Sequence, residues 1–364
     1  MNATSFFAPS PKIMHKNNFD FLRLLFAVLV IVSHSYSLSG DWSGGDILYR
    51  NTGEHVAFSY LGVSGFFILS GYLIFQSLLR SRNLIEYFWK RLLRLYPALF
   101  VVLVLTVILS PFVYEGSLQN YLTEKTAWTY IPRNLALLQP QFHINGVFKS
   151  GAINGSLWTI GFEFLFYVGL SSLFFFKNRP VVLKTLLAVG FITLFLGKIF
   201  LFKTIGFAAL SEKPYVNLAI YFVSGSLLAA FKIEDFKNRK ELFAVGITGI
   251  TAALFFNFFN TAEFLFLPLI VLPFGIASTR FINETGRVIG DLSYGMYIYA
   301  FPVAQALAHY FSLSAGEMMV FSLLITSICA YFSWHFIEKK ALKLKKLQPL
   351  ALFKKREVEV AIAE

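Results

Sequence analysis

Residues 19–38 read FDFLRLLFAVLVIVSHSYSL, an apolar run that contains one arginine, Arg23, and one histidine, His34. A run of about 20 apolar residues is long enough for an α-helix to cross the hydrocarbon core of a bilayer. The residues before it lack the short apolar core and small-residue cleavage site of a secretory signal. The run therefore predicts an uncleaved first transmembrane helix, preceded by a short N-terminal segment at residues 1–18.

Nine further apolar runs follow the first one. Only 14% of the 364 residues are charged and 56% are hydrophobic, whereas an average soluble domain carries about 25% charged residues. This composition excludes a disordered chain and a disulfide scaffold, and it predicts an all-α polytopic membrane protein with a transmembrane domain at 19–337 and a basic tail at 338–364. The ten predicted spans lie at residues 19–38, 58–79, 95–114, 157–176, 181–203, 215–231, 241–259, 262–278, 293–311 and 317–337.

The distribution of basic residues predicts the orientation of these spans. If the N-terminus is cytoplasmic, 24 Lys and Arg residues fall on the inside and 7 on the outside. Such a bias is the positive-inside signal, so both termini are expected in the cytoplasm and the protein in the plasma (inner) membrane. The net charge of +12 is explained by this topology and by attraction to the lipid bilayer. No motif supports nucleic-acid binding.

Three of the ionisable side chains inside predicted spans stand out, because an unpaired charge there is costly and a functional role is the first hypothesis. His34 and Glu163 are expected roughly 6 Å and 9 Å below the outer surface, at about 1.5 Å per residue. A carboxylate at that depth could orient the imidazole, although each group could also simply join neighbouring helices. Arg23 precedes His34 by eleven residues and therefore shares its helix face.

Arg91 and Arg94 stand three residues apart at the cytoplasmic start of the third predicted span. Residues with this spacing share one helix face, and two guanidinium groups there could bind a phosphate-bearing ligand. Ordinary positive-inside charge is the alternative explanation. No Cys/His cluster, His-Glu-x-x-His helix or Gly-rich phosphate loop occurs, so no metal site is predicted.

Small and polar residues mark two further segments. The second span carries Ser64 and Ser70 among glycines, a pattern that favours close helix packing or a narrow channel. The long loop at 115–156 is either functional or only a re-entrant cap. It ends in Asn154 and Ser156, and with Trp158 these residues are expected at the outer mouth, just above Glu163.

The order of these motifs resembles the acyltransferase-3 family of integral membrane O-acyltransferases. The resemblance covers residues 19 to 338, nearly the whole chain. Its motifs are FDFLR at 19–23 with His34-Ser35, GFFILSGYLI at 65–74, YFWKRLLRLYP at 87–97, SLWTI at 156–160 with Glu163-Phe164, LSYGMYIY at 292–299 and FIE at 336–338. Many members carry a histidine after the Ser-Tyr-x-x-Tyr segment, and here Ala300-Phe301-Pro302 stands in that place.

The resemblance implies transfer of an acyl group from cytoplasmic acyl-CoA to a hydroxyl of a cell-surface or lipid-linked glycan. It places His34 and Arg23 at the catalytic centre, Arg91 and Arg94 near the donor, and Tyr297 along the channel. The predicted donor is acetyl-CoA, used as a substrate, with no bound cofactor.

In this hypothesis His34, oriented by Glu163, acts as general base or as transient acyl carrier, and Arg23 stabilises the thioester oxyanion or the inner end of the path. The competing hypothesis is a secondary transporter or a lipid or glycan flippase. Many transporters contain two matching halves, and none are visible in this sequence.

Overall fold

A computed structural model describes residues 17–40, 44–148, 151–201 and 214–347, and this part of the chain is helical. Its single β feature is an isolated bridge between Tyr114 and Val147. The long helices of the described residues are α1 (Phe19–Leu38), α2 (Phe58–Arg80), α3 (Leu84–Leu109), α4 (Leu157–Ser171), α5 (Pro180–Leu196), α6 (Pro214–Ala230), α7 (Arg239–Phe255), α8 (Phe259–Ile276), α9 (Ser293–Tyr310) and α10 (Ala315–Ser333).

Short elements extend or connect these helices. Helical turns of 3-10 or π type prolong α3 to Val113, α4 to Phe176 and α5 to Leu201. A π turn (Trp334–Glu338) joins α10 to a final short helix, here called the tail helix (Lys339–Lys343). The connecting helices are Ile47–Asn51, Leu118–Thr123, Lys125–Leu135 and Thr285–Val288, and the remaining 3-10 turns are Ile233–Asp235, Ile282–Glu284 and Leu344–Lys346.

The helices confirm a multi-pass membrane protein. Seven of them in the described residues are long and apolar enough to cross a bilayer. The other three, α6, α7 and α9, are shorter or less apolar, yet each coincides with a predicted span. The total of ten spans and the cytoplasmic position of both termini stay predictions.

Two helices differ in their bounds from the predicted spans. The third span was expected to begin at residue 95, but α3 begins at Leu84, where the Asn83 side chain accepts a hydrogen bond from the Glu86 amide at 2.8 Å. Asparagine is a favourable N-cap, so the polar first turns continue the same helix. The hairpin turn expected at 260–261 lies at 256–258, because Asn257 adopts a left-handed conformation there (φ 58°).

The small residues of α2 allow close contact with two helices. A β-carbon at Gly62 would lie 2.6 Å from the Phe26 carbonyl oxygen of α1. A β-carbon at Gly71 would collide with the Phe222 carbonyl of α6, and one at Gly225 of α6 would collide with the Ile68 carbonyl of α2. Small residues at such crossings let helix backbones approach in a membrane. The close-packing hypothesis for this segment is thus confirmed.

The end of the long loop enters the helix bundle. The Asn154 amide donates a hydrogen bond to the Ile298 carbonyl in the middle of α9 at 3.0 Å. The next residue, Gly155, lies against the Phe301 ring. Asn154 and Ser156 are 1% and 3% exposed. Helix α4 therefore begins within the bundle and not at its outer surface, which changes the depth of every residue on α4.

The close contact at Gly71 generates a prediction about stability. We expect Gly71→Ala to lower the thermal unfolding temperature of the detergent-purified protein, because the added methyl group meets the backbone of α6 and overpacking costs about 1–3 kcal/mol. Gly169→Ala is the matched control, since a β-carbon at Gly169 has no neighbour within 4 Å. Equal unfolding temperatures for the two variants would contradict the close contact.

Candidate active site

A cavity of about 410 Å³ runs along α2. Its lining residues on α2 extend from Val63 to Arg80, a distance of about 25 Å at about 1.5 Å per residue. One end, here called the basic end, is formed by Arg80, Arg91, Arg94 and Lys345. The other, here called the far end, is formed by Val63, Phe66, Thr159 and Tyr297.

Basic side chains outnumber carboxylates in this cavity. Five basic residues and two acidic ones line it, so the basic residues exceed the acidic ones by three. They are Arg23, Arg80, Arg91, Arg94 and Lys345, against Glu163 and Asp291. An enclosed surface with such an excess attracts polyanions.

Asp291 organises two of these cations. Its carboxylate lies 2.9 Å from Arg94 and 3.4 Å from Arg23. Burial by itself would raise the pKa of Asp291, but the two guanidinium groups outweigh it and hold that pKa well below its usual range. Arg94 also lies 3.6 Å from the buried Glu338, and Arg23 pairs with Asp20. The charges of Arg23 and Arg94 are therefore largely compensated within the protein.

Arg91 differs from its neighbour on α3. Its guanidinium donates a hydrogen bond to the Ser77 hydroxyl at 3.3 Å and lies 5.9 Å from the centre of the Tyr167 ring. Among the described residues no carboxylate forms an ion pair with it, and its Nε has no hydrogen-bond partner. Of the two predicted donor-binding arginines, Arg91 is thus the one whose charge is left for a ligand.

The predicted pair of His34 and Glu163 is not formed. Glu163 accepts hydrogen bonds from the Ser70 hydroxyl at 3.1 Å and from the Tyr167 hydroxyl, and it lines the cavity. The partly buried His34 ring packs edge-on against Phe301 at 5.2 Å between ring centres.

The pair was predicted because Glu163 was assumed to lie at the same depth in the membrane as His34, and this assumption was wrong. The antiparallel helices α1 and α2 bring Phe19 beside Tyr72 and Phe26 beside Gly65. Ser70, and with it Glu163, therefore lies near the level of Arg23, which is about 16 Å along α1 from His34. The estimate from sequence took the start of α4 as the membrane surface, whereas that start is inside the bundle.

The far end of the cavity is closed by a hydrogen bond between helices. The hydroxyls of Thr159 and Tyr297 are 2.6 Å apart, and Phe66 packs edge-on against the Tyr297 ring. Phe301, the neighbour of His34, follows Tyr297 by four residues, which is one helical turn or about 6 Å. The cavity therefore ends one turn short of the histidine.

The remaining predicted channel residues divide into two groups. Ser70 and Tyr297 line the cavity. Ser64 is 1% exposed within the α2 contacts, and Trp158 packs on Phe162. Asn154 and Ser156 lie in the part of the long loop that enters the bundle, residues 151–156, here called the re-entrant loop, where the Asn154 side chain accepts a hydrogen bond from the Ser156 amide at 3.1 Å. These four do not line the cavity, and the two loop residues shape the region around Phe301.

Sequence reasoning missed several polar residues. Asp291, Lys345 and the site role of Glu338 were overlooked because they lie at or beyond the ends of predicted spans. Glu263 was overlooked although it lies within the span predicted at 262–278; it is 2% exposed and accepts a hydrogen bond from the Tyr60 hydroxyl at 2.7 Å. Among the described residues, no three His, Cys, Asp or Glu side chains are grouped to hold a metal ion.

The ion pairs of Asp291 lead to a prediction about pH. We expect Asp291→Asn to destabilise the protein by about 3 kcal/mol at neutral pH, because it removes the carboxylate that two partly buried guanidinium groups share. A carboxylate with a depressed pKa stabilises the fold above its unfolded pKa of about 3.9, and that contribution is lost as the pH falls below this value. The stability gap between wild type and variant should thus narrow below about pH 4.

Thermal unfolding in detergent between neutral pH and about pH 3 measures this gap. Asp235→Asn is the control, since Asp235 is exposed at the end of a 3-10 turn. A gap that stays constant over the whole range would show that Asp291 does not contribute through its charge.

Comparison with known proteins identifies the family. The family model described as "Acyltransferase domain" matches residues 16–336. An O-acetyl transferase of Shigella phage Sf6 is 29% identical, with 90% of this chain and 97% of the relative covered. Nodulation protein 10 of Rhizobium leguminosarum bv. viciae is 26% identical, with 91% and 94% covered. The peptidoglycan O-acetyltransferase OatA of Listeria monocytogenes is 25% identical, with 88% of this chain but 54% of the relative covered.

No solved structure matches the chain at a significant level. The family match covers His34 and most of the residues that line the charged cavity, and two of these three relatives are named as O-acetyltransferases. An enzyme is therefore favoured over the transporter or flippase. The protein is an acyltransferase that transfers groups other than aminoacyl groups, and it belongs to the acyltransferase-3 family of membrane proteins.

Proposed function

We propose that the protein transfers an acetyl group from cytoplasmic acetyl-CoA to a hydroxyl of a cell-surface or lipid-linked glycan. The observation that carries this proposal is the cavity itself, which is basic at one end and stops one helical turn from His34 at the other. The inside excess of Lys and Arg supports the orientation, with the basic end and both termini on the cytoplasmic side of the inner membrane.

The basic end suits the phosphates of CoA. Arg91 offers a guanidinium group that no carboxylate of the described residues binds in an ion pair, on a helix that is fixed by its neighbours, and guanidinium groups bind phosphate through charge-assisted hydrogen bonds. Arg23 and Arg94 share Asp291 and add positive potential without a full free charge. In this proposal Arg23 serves the inner end of the acyl path.

The acyl group would reach His34 through the far end of the cavity. The Thr159–Tyr297 hydrogen bond and the Phe66 ring form the constriction there. A small acyl group needs to displace only these side chains, whereas the phosphates remain at the basic end. This arrangement favours a short acyl chain such as acetyl.

Two routes of transfer agree with this geometry. In direct transfer, His34 accepts the proton of the acceptor hydroxyl while the oxygen of that hydroxyl attacks the thioester carbonyl, and the CoA thiolate leaves. In stepwise transfer, a nitrogen of His34 attacks the thioester, CoA leaves as the thiol, and the acceptor hydroxyl then attacks the acyl-imidazole. Both routes form one ester and release one CoA.

The acceptor would approach from the side of the re-entrant loop. Asn154 and Gly155 fix that loop against α9 next to Phe301, the ring that contacts His34. One relative is named for peptidoglycan, and others are named simply as O-acetyltransferases. A glycan acceptor on the far side of the membrane agrees with these names.

The role of His34 is tested by substitution. We expect His34→Ala to abolish acetyl transfer, because both routes need its imidazole. The measurement is label incorporated into glycan by membrane vesicles supplied with radiolabelled acetyl-CoA, together with the acetyl content of the surface glycan by mass spectrometry. His309→Ala, at an exposed site on α9, is the control. Transfer at the wild-type rate by His34→Ala would refute the assignment.

The role of Arg91 is tested by its effect on donor binding. We expect Arg91→Gln to raise the KM for acetyl-CoA about tenfold, or about 1.4 kcal/mol, with little change in kcat. Arg82→Gln is the control, since Arg82 points away with a side chain 65% exposed and pairs with Glu86. An unchanged KM in Arg91→Gln would mean that this arginine serves only membrane orientation.

A further inference from the structure

Lys345 lines the basic end of the cavity although it lies beyond the last hydrophobic helix. It belongs to the 3-10 turn Leu344–Lys346, directly after the tail helix, and Leu342 of that helix lines the cavity as well. The sequence explains the basic tail by topology alone. The structure instead places one of its lysines at the entrance of the site.

The tail is held in this position from two sides. The Trp89 indole on α3 donates a hydrogen bond to the Leu344 carbonyl at 3.1 Å, next to Lys345. Before the tail helix, the buried Glu338 accepts a hydrogen bond from Ser333 at 2.9 Å and lies 3.6 Å from Arg94. Both anchors tie the tail to the α3 region, so Lys345 is positioned before any ligand binds.

The charges around Lys345 are mainly of the same sign. Arg91 and Arg94 of α3 and Arg23 of α1 repel it, and Asp291 is the carboxylate that attracts it. Asp291 is already bound to Arg23 and Arg94. Among the described residues no carboxylate forms an ion pair with the ammonium group of Lys345.

We propose that Lys345 binds a phosphate group of the acyl-CoA donor together with Arg91, which makes the tail turn part of the donor site. This inference rests on the proposed function. A bound anion would stabilise a partly buried ammonium group that is repelled by three guanidinium groups, because it offsets their repulsion and supplies a counter-charge that no carboxylate of the described residues supplies by an ion pair. A phosphate of an anionic lipid has the same chemistry and is the competing occupant.

The titration of Lys345 gives this proposal a distinctive signature. Burial, followed by repulsion from Arg91, Arg94 and Arg23, lowers the pKa of Lys345 to about 8, against the attraction of Asp291. The cation is therefore present at neutral pH and is lost in alkaline solution. Donor affinity should fall as the pH rises past this value, and an arginine at the same position should remove that dependence because it stays charged.

The test measures binding to the full-length protein in nanodiscs of phosphatidylcholine. The probe is S-ethyl-CoA, a thioether that cannot transfer an acyl group, and pantetheine is the control that lacks phosphates. We expect Lys345→Gln to weaken S-ethyl-CoA binding about tenfold at neutral pH and to leave pantetheine binding unchanged. Lys345→Arg should retain affinity and lose the decline between about pH 7 and about pH 9. Lys343→Gln, at an exposed site on the tail helix, should resemble wild type.

The outcomes separate this inference from the proposed function. Absence of S-ethyl-CoA binding by the wild type would overturn the proposed donor and the inference with it. Wild-type affinity in Lys345→Gln, with Arg91→Gln weakened, would overturn the inference alone. Addition of phosphatidylglycerol to the nanodiscs tests the other occupant: if it abolishes S-ethyl-CoA binding by the wild type but not by Lys345→Gln, the lysine binds lipid and the inference is wrong.

Discussion

The ion pairs of Asp291 are the constraint that the rest of the site depends on. Charges withdrawn from water are costly unless they are paired, and this one carboxylate at the start of α9 pairs with both Arg23 of α1 and Arg94 of α3. Arg94 extends the network to Glu338, which follows α10. Four separate parts of the chain are thereby fixed around the basic end. The wall that carries Arg91 and Lys345 is held by the same pairs.

This network also separates the arginines that are paired with carboxylates from Arg91, which has no such partner among the described residues. Arg23 is a charged residue in a predicted transmembrane helix, and it has carboxylate partners on two sides. Arg91 has the same sequence surroundings as Arg94 and no ion pair in the described part of the chain. Spacing along a helix identifies which side chains share a face, but only the contacts across helices show which of them keeps a charge for a ligand.

The helices could be predicted well because hydrophobic length is a strong local signal. The bounds of α1 and α2 follow directly from apolar runs, whereas the start of α3 was missed because its first turns are polar and continue the helix outside the apolar run. The contact between His34 and Glu163 was predicted wrongly for a non-local reason. The depth of Glu163 depends on Asn154 and Gly155, which hold the start of α4 inside the bundle. The length and position of the apolar runs contain no information about these contacts.

The lining of the cavity changes from charged to uncharged along α2, and this change would orient a bound donor. Charge is concentrated where α2 ends, near Arg80, whereas the far end is uncharged and is lined by Val63 and Phe66 with the hydroxyls of Thr159 and Tyr297. A polyanion is stabilised electrostatically only at the basic end, whereas moving a small acyl group into the uncharged part of the cavity carries no desolvation penalty for a charge. If the donor binds as proposed, this gradient holds its phosphates back and directs its thioester toward His34. The single interhelical hydrogen bond between the far end and His34 would then let the acyl group pass while the path stays closed to the rest of the donor.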